Sequence, residues 1–525
     1  MHSERTSSGG VRPRKYPIGL QSFRKIREGG YRYVDKTEVI HQLVNSGSYY
    51  FLSRPRRFGK SLLVDTLHEL FSGSRELFEG LWIENHWDWS RKNPVIHLRI
   101  SQIPYQQIGL HEALYKELDV LAAEVGVTLA ETNLKGKFRE LIQKASANGQ
   151  VVILIDEYDK PLVDYLDNPE RLTENRSVFK EFYSVLKDAD RYIRLLFITG
   201  VSRFSRVSIF SDLNNLEDIS IGRNFHALAG ISQEELERDF APEIADMQRE
   251  QPDVLADIKE WYNGYSWGGP YRLYNPFSLL NLMKSREFMN YWYTTGTPTF
   301  LFEQLKKRKL GDMDGIEVSA NTLADFNTDN PNMASLLFQT GYLTIKSVED
   351  QIYELGYPNR EVKESLLDGL LNTYREPVLS DSLVLVTRLR KAINTGNIKA
   401  LITTLDSLIG QIPYDHWRGD TESIFNIITV LTFRLAGVEV HTEVHSARGR
   451  CDVLVKTGDY LYVMELKLDG TAQEALDQIL ASGYLQPYGN DPRKKIALGI
   501  AFSSADRCVA EYLELILENG DDRLR

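Results

Sequence analysis

The first half of the chain alternates short apolar runs with amphipathic stretches. The apolar runs predict buried strands at 49–52, 95–100, 151–155 and 193–199. The stretches at 62–71 and 109–123 have apolar residues at the spacing of helices that bury one face. Strands that alternate with helices indicate a parallel α/β sheet.

The second half is mostly helical and ends in a mixed pattern. Helical periodicity dominates from about residue 231 to 380, with one β-like piece at 341–346. We expect a helical region with a winged-helix-like element there. After a further helical stretch, residues 438–502 have the pattern of a β-hairpin, a helix and a closing strand.

Composition is that of an ordinary folded protein. Of the 525 residues, 42% are hydrophobic and 26% are charged, which excludes a disordered or fibrous chain. Lys plus Arg is 62 and Asp plus Glu is 73, so the net charge is −11 and the chain is no general polycation for nucleic acid. Contacts with DNA would need local basic patches, and the candidates are residues 54–57, 306–309 and 493–495.

Cysteine content and hydropathy bear on the compartment. The two cysteines, Cys451 and Cys508, exclude a disulfide framework and a four-cysteine zinc site. Residues 1–15 are polar and have no secretory signal character. The apolar runs are far shorter than the ~20 residues of a membrane span. We therefore expect a cytoplasmic protein without a membrane partner.

A phosphate-binding motif follows the first predicted strand. The sequence RPRRFGKS at 54–61 comes between a strand and a helix, which is the context that a P-loop requires. Lys60 would reach the β- and γ-phosphates, and the Ser61 hydroxyl would bind Mg²⁺. Arg54 stands where the usual motif has its first glycine, so the ordinary turn geometry is in question.

Two further strand ends carry polar residues suited to nucleotide hydrolysis. Asp156 and Glu157 follow the run at 151–155, where Asp156 would hold Mg²⁺ and Glu157 would polarise the attacking water. After the next strand, either Thr199 or Ser202 would sense the γ-phosphate. Either Arg203 or Arg206 would serve as an arginine finger, which in trans needs a homo-oligomer. Asp35 and Lys36 contact nucleotide or cap a helix, and we favour the cap. The residues expected to contact nucleotide are Arg56, Arg57, Phe58, Gly59, Lys60, Ser61, Leu62, Asp156, Thr199 and Arg203.

The C-terminal hairpin brings two carboxylates and a lysine together. Gly458 and Asp459 fit a type II′ turn, and pairing outward from it places Asp452 opposite Glu465. Lys467 is two residues past Glu465 and shares its face. Opposed carboxylates are destabilising unless something neutralises them, and Mg²⁺ would do so. Lys467 would then orient or deprotonate water for phosphodiester hydrolysis.

Neighbouring residues add to this cluster. Glu422 or Glu443 would supply a third carboxylate, and a capping box at 471–474 opens a helix that carries Gln478. His441, Glu443 and His445 share one strand face and raise the alternative of zinc. They lack a clear fourth ligand, so we disfavour zinc.

Both motif sets resemble known families. Residues 51–61 (FLSRPRRFGKS), 34–37 (VDKT) and 274–277 (YNPF) resemble the AAA-ATPase-like domain of many bacterial proteins, in which the departure at Arg54 is usual. Residues 449–452 (GRCD) and 465–467 (ELK) resemble the PD-(D/E)xK nuclease superfamily. The resemblance implies a P-loop NTPase sheet, and an α/β, restriction-endonuclease-like domain at the C-terminus. The expected domains are a tail (1–15), an ATPase domain (16–230), a helical lid or winged-helix-like region (231–380) and a helical lead-in with the nuclease-like domain (381–525).

The resemblance also implies functional residues and an activity. The nuclease set would be Asp452, Glu465 and Lys467, assisted by Gln478, with Leu466 and Glu443 among the metal ligands. We expect an ATP-regulated, Mg²⁺- or Mn²⁺-dependent DNA nuclease in defence or mobile-element biology, acting alone, as a homo-oligomer or with a protein partner. The alternative is an ATP-driven signalling or remodelling switch whose nuclease-like domain only binds DNA or protein.

Overall fold

The computed structural model divides the chain into two compact units. The first comprises Met1–Thr295 and Asp314–Val362, and the second comprises Gly296–Met313 and Lys363–Arg525. The residues that the structure describes are 15–202, 209–210, 213–222, 224–268, 271–292, 299–308, 313–324, 332–375, 382–413, 421–446 and 449–517.

The secondary structure is as follows. The α-helices are α1 (Phe23–Glu28), α2 (Thr37–Ser46), α3 (Lys60–Ser72), α4 (Tyr105–Ile108), α5 (Leu110–Glu124), α6 (Leu134–Ala145), α7 (Lys160–Val163), α8 (Pro169–Tyr183), α9 (Val185–Asp188), α10 (Gln233–Asp239), α11 (Ala241–Met247), α12 (Val254–Tyr262), α13 (Pro276–Ser285), α14 (Thr299–Lys307), α15 (Ala320–Ala324), α16 (Met333–Thr340), α17 (Arg360–Tyr374), α18 (Ser382–Asn394), α19 (Ile398–Ile409), α20 (Thr421–Leu435) and α21 (Ala472–Ala481). The strands are β1 (Tyr49–Ser53), β2 (Val95–Arg99), β3 (Val151–Asp156), β4 (Ile193–Gly200), β5 (Glu217–Asp218), β6 (Ile316–Ser319), β7 (Thr344–Glu349), β8 (Ile352–Gly356), β9 (Glu439–Ser446), β10 (Gly449–Lys456), β11 (Tyr460–Leu468), β12 (Lys494–Ser503) and β13 (Cys508–Leu517). Short 3₁₀ helices lie at Arg75–Phe78, Trp82–Asn85, Ile100–Gln102, Ser146–Asn148, Asp190–Tyr192, His226–Leu228 and Gln486–Tyr488.

The first unit is built on a parallel five-stranded sheet. Its strand order is β2-β3-β4-β1-β5, and each neighbouring pair is parallel. The parallel sheet predicted from the apolar runs is therefore confirmed. Because β4 lies between β1 and β3, the carboxyl ends of the three strands meet at one edge of the sheet. Ligands of open α/β sheets bind at such an edge.

The side chains of strand β3 pack into a hydrophobic core on each face of this sheet. All six of its residues are buried, and successive side chains point to opposite sides. Ile153 and Ile155 belong to the core under α5, α6 and α8, whereas Val152 and Leu154 belong to the core under α2 and α3. A continuous apolar run is the expected sequence of such a strand.

The rest of the first unit is mainly helical and carries a small sheet. Strands β6, β8 and β7 form an antiparallel sheet in that order, with α15 and α16 between β6 and β7 in the chain. The sequence indicated only β7, because β6 and β8 have few buried residues. Two nearly buried ion pairs join the segment before α2 to α10 and α11: Lys36 with Glu235 at 2.6 Å and Arg32 with Glu243 at 2.5 Å.

The second unit contains a mixed sheet of order β13-β12-β11-β10-β9. Strands β11 and β12 are parallel, and the other pairs are antiparallel. The predicted hairpin register is present, with Val453 opposite Met464 and Val455 opposite Tyr462. The predicted type II′ turn is wrong, because φ of Gly458 is not positive. The hydroxyl of Thr457 instead accepts the Tyr460 N–H at 3.0 Å and closes the turn.

The α-helices of both units are short. None in the described ranges exceeds 15 residues, as in α5 and α8. A membrane span needs about 20 apolar residues. Among the described residues, no helix combines the length and apolar character needed to cross a membrane.

Candidate functional site

The loop between β1 and α3 wraps around the ammonium group of Lys60. Gly59, the residue before α3, has φ +90°, a left-handed conformation that favours glycine. Lys60 is buried and donates from Nζ to the carbonyl oxygens of Arg54 at 2.8 Å and Pro55 at 2.9 Å. Burial lowers the pKa of Lys60, and nearby carboxylates oppose that shift. The loop thus holds a cation beside the N-terminus of α3, an arrangement suited to phosphate.

Arg54 has a structural role that explains the missing glycine. Its guanidinium donates to the carbonyl oxygens of Ser53 and Ser220, both at 2.8 Å, and lies 4.0 Å from the ring centroid of Trp267. The side chain is fully buried, and burial lowers its pKa to about 9. The backbone of Arg54 does not have a positive φ, so this position does not require glycine. Arg54 therefore fixes the loop from inside and is not part of a basic surface.

The next two arginines differ from Arg54 in being exposed. Arg57 has φ +67°, and its guanidinium carbon lies 4.6 Å from the ring centroid of Phe277. The carbonyl of the exposed Arg56 accepts a hydrogen bond from the indole of Trp292 at 3.3 Å. Both side chains lie at the surface beside the Lys60 loop, where a phosphate can reach them.

The ends of β3 and β4 place their polar residues beside the same loop. Thr199 donates from Oγ1 to Oδ1 of Asp156 at 2.6 Å, and the Ser61 hydroxyl also hydrogen-bonds to Asp156. Burial raises the pKa of Asp156, while these two hydrogen bonds oppose the shift. Glu157 has φ +56°, a strained conformation typical of functional sites. The structure therefore brings Lys60, Ser61, Asp156, Glu157 and Thr199 to one edge of the sheet.

A cavity of about 340 Å³ opens in front of this edge. Its volume is within the usual range of small-ligand sites. Residues between 17 and 21 and residues of α13 complete the wall, and sequence reasoning assigned them no role at the site. The lining residues are Pro17, Gly19, Leu20, Gln21, Arg56, Arg57, Phe58, Gly59, Lys60, Ser61, Leu62, Glu157, Pro276, Phe277 and Leu280.

The other residues that the sequence suggested for this site differ in where they lie. The Ser202 hydroxyl donates to Asp159 at 2.6 Å, and Asp159 was not anticipated from the sequence. Arg203 and Arg206 lie outside the described residues. Asp35 accepts the Thr37 N–H at the start of α2 at 2.8 Å, whereas Lys36, the N-cap residue, makes no side-chain capping hydrogen bond and pairs with Glu235. The D-E-Y-D spacing at 156–159 was the available signal for Asp159.

The second cluster joins β10, β11 and α21. Lys467 Nζ donates to Oε1 of Gln478 at 2.6 Å and to Oε1 of Glu465 at 3.4 Å. The Gln478 amide in turn donates to Glu465 Oε1. Asp452 accepts the N–H of Leu466 at 2.9 Å, which places its carboxylate beside the Glu465 segment. The four predicted residues Asp452, Glu465, Lys467 and Gln478 therefore lie together.

The electrostatics of this cluster favour a cation. Glu465 is 2% exposed, and its buried Oε2 has no hydrogen-bond partner in the protein. Burial, together with the charge of Asp452, raises the pKa of Glu465 to about 7. Mg²⁺ is commonly held by one or two carboxylates plus water, which fits Asp452 and Glu465. The described residues contain no group of three or more His, Cys, Asp and Glu side chains arranged for a metal. The side chain of Glu443, like that of Glu422, lies outside what the structure describes.

Comparison with known proteins agrees with this geometry. A family model described as "Predicted AAA-ATPase" matches residues 17–210, and one described as "PD-(D/E)XK nuclease superfamily" matches residues 420–512. An uncharacterized protein in the vnfD 5′ region of Azotobacter chroococcum mcd 1 is 37% identical over 516 residues, 95% of this chain and 98% of that protein. The chain belongs to the AAA-ATPase-like proteins that end in a PD-(D/E)XK nuclease superfamily domain.

Some residues in the basic stretches of this AAA-ATPase-like protein are buried or paired within the chain. The buried Lys495 donates to the carbonyl of Asp491 at 2.7 Å, and Arg493 pairs with the Asp491 carboxylate at 2.6 Å. Lys306 donates to the carbonyl of Thr373 at 3.0 Å, and residue 309 lies outside the described residues. The expectation that Arg54 and Lys495 meet phosphates is therefore wrong, because both are buried.

Proposed function

We propose that the first unit binds ATP at the Lys60 loop and hydrolyses it. The N-terminal amides of α3 and the Lys60 ammonium would carry the phosphate charge. Ser61 and Asp156 have the oxygen ligands that suit Mg²⁺. Glu157 lines the cavity and would polarise the attacking water as the general base. Thr199 donates to Asp156 and so orients that carboxylate.

The second unit would cleave the phosphodiester backbone of DNA. Asp452 and Glu465 would hold Mg²⁺, or Mn²⁺, together with the Leu466 main chain, and Glu443 stays a predicted additional ligand. When bound, the metal ion supplies charge neutralisation and a water of lowered pKa. The chain itself orients Lys467, whose ammonium is held by Gln478 at 2.6 Å and would offset the charge of the scissile phosphate.

The environment of Glu465 is the strongest support for the nuclease proposal. The side chains of Lys467 and Gln478 donate to Glu465, Asp452 lies beside it, and its buried Oε2 has no partner in the protein. A buried carboxylate oxygen of this kind is costly unless a ligand satisfies it. A surface hairpin with an ordinary Glu–Lys pair would not bury Glu465 in this way.

ATP would regulate the nuclease, since one chain carries both sites. The setting we propose is defence against foreign DNA or mobile-element biology, in the cytoplasm. An arginine finger that acts in trans, either Arg203 or Arg206, would require a homo-oligomer. These proposals follow from the combination of the two domains.

ATP binding is tested by titrating the full-length protein with a fluorescent ATP analogue. We expect Lys60→Ala to abolish binding, because the Lys60 ammonium is the cation held inside the loop. The matched control is Lys116→Ala on the surface of α5, where the lysine pairs with Glu112 at 3.1 Å. Binding retained by Lys60→Ala, or lost equally in the control, would overturn the assignment.

Cleavage is tested on linear and circular DNA with Mg²⁺ or Mn²⁺. Lys467→Ala should remove cleavage, whereas Lys399→Ala, which changes an exposed lysine of α19 in the same unit, should leave it unchanged. Equal cleavage by the wild type and Lys467→Ala would contradict the site. DNA binding by the wild type without cleavage would favour the switch that only binds.

A further inference from the structure

The turn after β3 is fastened to the end of β4 by one buried carboxylate. Asp159 is 1% exposed, and its Oδ2 accepts hydrogen bonds from the Ser202 amide and hydroxyl, both at 2.6 Å. Oδ2 also accepts the Val201 N–H at 3.0 Å. Asp159 does not line the cavity in front of Lys60. Its three donors all belong to the segment that follows Thr199.

Neighbouring contacts fix the same segment from other directions. The Tyr158 N–H donates to the Thr199 carbonyl at 3.0 Å, beside the Asp159 contacts. On the β1 side, the Ser53 hydroxyl donates to the Val201 carbonyl at 2.7 Å and the Arg54 N–H to the Gly200 carbonyl at 3.2 Å. The ends of β1, β3 and β4 are therefore joined through residues 200–202.

Gly200 shows how closely the turn approaches β4. A Cβ atom at this position would lie 2.6 Å from the Tyr158 ring and 2.9 Å from Asp159 Oδ1. Only glycine permits this approach without a shift of the turn. The distance between the β3 and β4 ends is thus set by direct contact as well as by hydrogen bonds.

We propose that Asp159 is a positioning residue for ATP hydrolysis, an inference that rests on the proposed ATPase function. By holding residues 200–202 against the β3 turn, Asp159 keeps the Thr199 hydroxyl 2.6 Å from Asp156 and fixes Glu157 at the cavity edge. Asp159 does not line the cavity in front of Lys60, and its charge is among those that oppose the lowering of the pKa of Lys60. Asp159 therefore supports the rate of ATP hydrolysis and the part of ATP affinity that depends on Mg²⁺. It does not contribute to the affinity of the loop for the phosphates.

The variant Asp159→Asn tests this role. An amide at this position keeps one oxygen acceptor but loses the negative charge, and its N–H₂ group replaces the oxygen that shares the Val201 N–H at 3.2 Å, so the β3 turn holds residues 201–202 less tightly. A displacement of 1 Å at a catalytic group lowers rates by about a hundredfold. We expect kcat for ATP hydrolysis to fall about tenfold to a hundredfold. ATP affinity measured in EDTA should stay within about threefold, while the gain in affinity on adding Mg²⁺ should be lost.

Glu140→Gln is the matched control. Glu140 in α6 also accepts main-chain hydrogen bonds in the same unit, from the Ala130 amide at 2.8 Å and the Glu131 amide at 2.9 Å, and it pairs with Lys144. This variant should hydrolyse ATP like the wild type. Ser202→Ala removes a single Asp159 bond, so it should lower kcat less and carries the test if Asp159→Asn does not fold.

The outcomes separate this inference from the proposed function. A wild type that binds no ATP overturns both the proposed function and the inference. A wild type that binds ATP, with Asp159→Asn and Ser202→Ala unchanged in kcat and in the Mg²⁺-dependent gain, overturns the inference alone. Equal loss of EDTA affinity and kcat in Asp159→Asn would show a general structural role and would also overturn it.

Discussion

Replacing Arg54 by glycine restores the residue that the usual phosphate loop has at this position. The structure predicts that this change weakens the protein. The Arg54 side chain fills a buried site between Ser53, Ser220 and Trp267, and its backbone does not have a positive φ. Glycine would therefore lose every side-chain contact and gain no conformational advantage.

The magnitude follows from the contacts. Each hydrogen bond from a charged donor contributes about 1.5–3 kcal/mol, and a desolvated cation–π contact contributes about 2 kcal/mol. Glycine adds about 1 kcal/mol of backbone entropy cost. Against this, removing the buried guanidinium recovers a desolvation cost of several kcal/mol, the same effect that lowers the pKa of Arg54 to about 9. We expect a net loss of about 3 kcal/mol in unfolding free energy for Arg54→Gly.

Denaturant unfolding of the full chain measures this loss. Arg54→Met keeps much of the side-chain volume without the hydrogen bonds, so its stability should lie between those of the wild type and Arg54→Gly. Arg56→Ala, which changes an exposed arginine of the same loop, is the control and should be nearly neutral. If Arg54→Gly matched the wild type in stability and bound ATP more tightly, the structural role of the guanidinium would be refuted.

Two further predictions concern other parts of the chain. Burial, aided by the charges of Arg99 and His68, lowers the pKa of His97 to about 3, so only the unfolded chain takes up a proton below about pH 6.5. The free energy of unfolding therefore has its full value above about pH 7. It falls as the pH falls, by about 2 kcal/mol at pH 5, because protonation of His97 favours the unfolded chain. Thermal unfolding at pH 8 and pH 5 should show that His97→Leu loses less stability at pH 5 than the wild type does. An equal loss in both proteins would contradict the lowered pKa of His97. In the second unit, Gly499→Ala places a Cβ 2.4 Å from the carbonyl of Ala472 in α21. This substitution should destabilise the unit and reduce DNA cleavage by displacing the glutamine on that helix, and wild-type cleavage would contradict it.

The sequence predicted what depends on local pattern. The buried run of β3 implied a central strand, and hairpin pairing placed Asp452, Glu465 and Lys467 on one face. Each conclusion needs only the two-residue period of a strand and a turn position. The same reasoning missed β13, because its apolar and polar residues follow neither the strand nor the helix period clearly and much of the strand is exposed.

Residues whose partners are distant in the chain were beyond such reasoning. The role of Arg54 depends on Ser220 and Trp267, which reach it only in the folded first unit. The role of Asp159 depends on β4 lying beside β3, a neighbour relation that strand patterns do not specify. The turn at Gly458 was missed for a local reason. The Thr457 hydroxyl accepts the Tyr460 N–H and closes the turn, so the turn does not need the positive φ that glycine allows.

The most direct test of the account measures DNA cleavage with Mg²⁺, with and without ATP. The full-length wild type is compared with Lys467→Ala and Lys60→Ala on linear and circular DNA. We expect the wild type to cleave DNA and ATP to change its rate of cleavage. Lys467→Ala should not cleave under either condition, and Lys60→Ala should cleave at a rate that ATP does not alter. Cleavage by Lys467→Ala at the wild-type rate, or an ATP effect that persists in Lys60→Ala, would contradict the account.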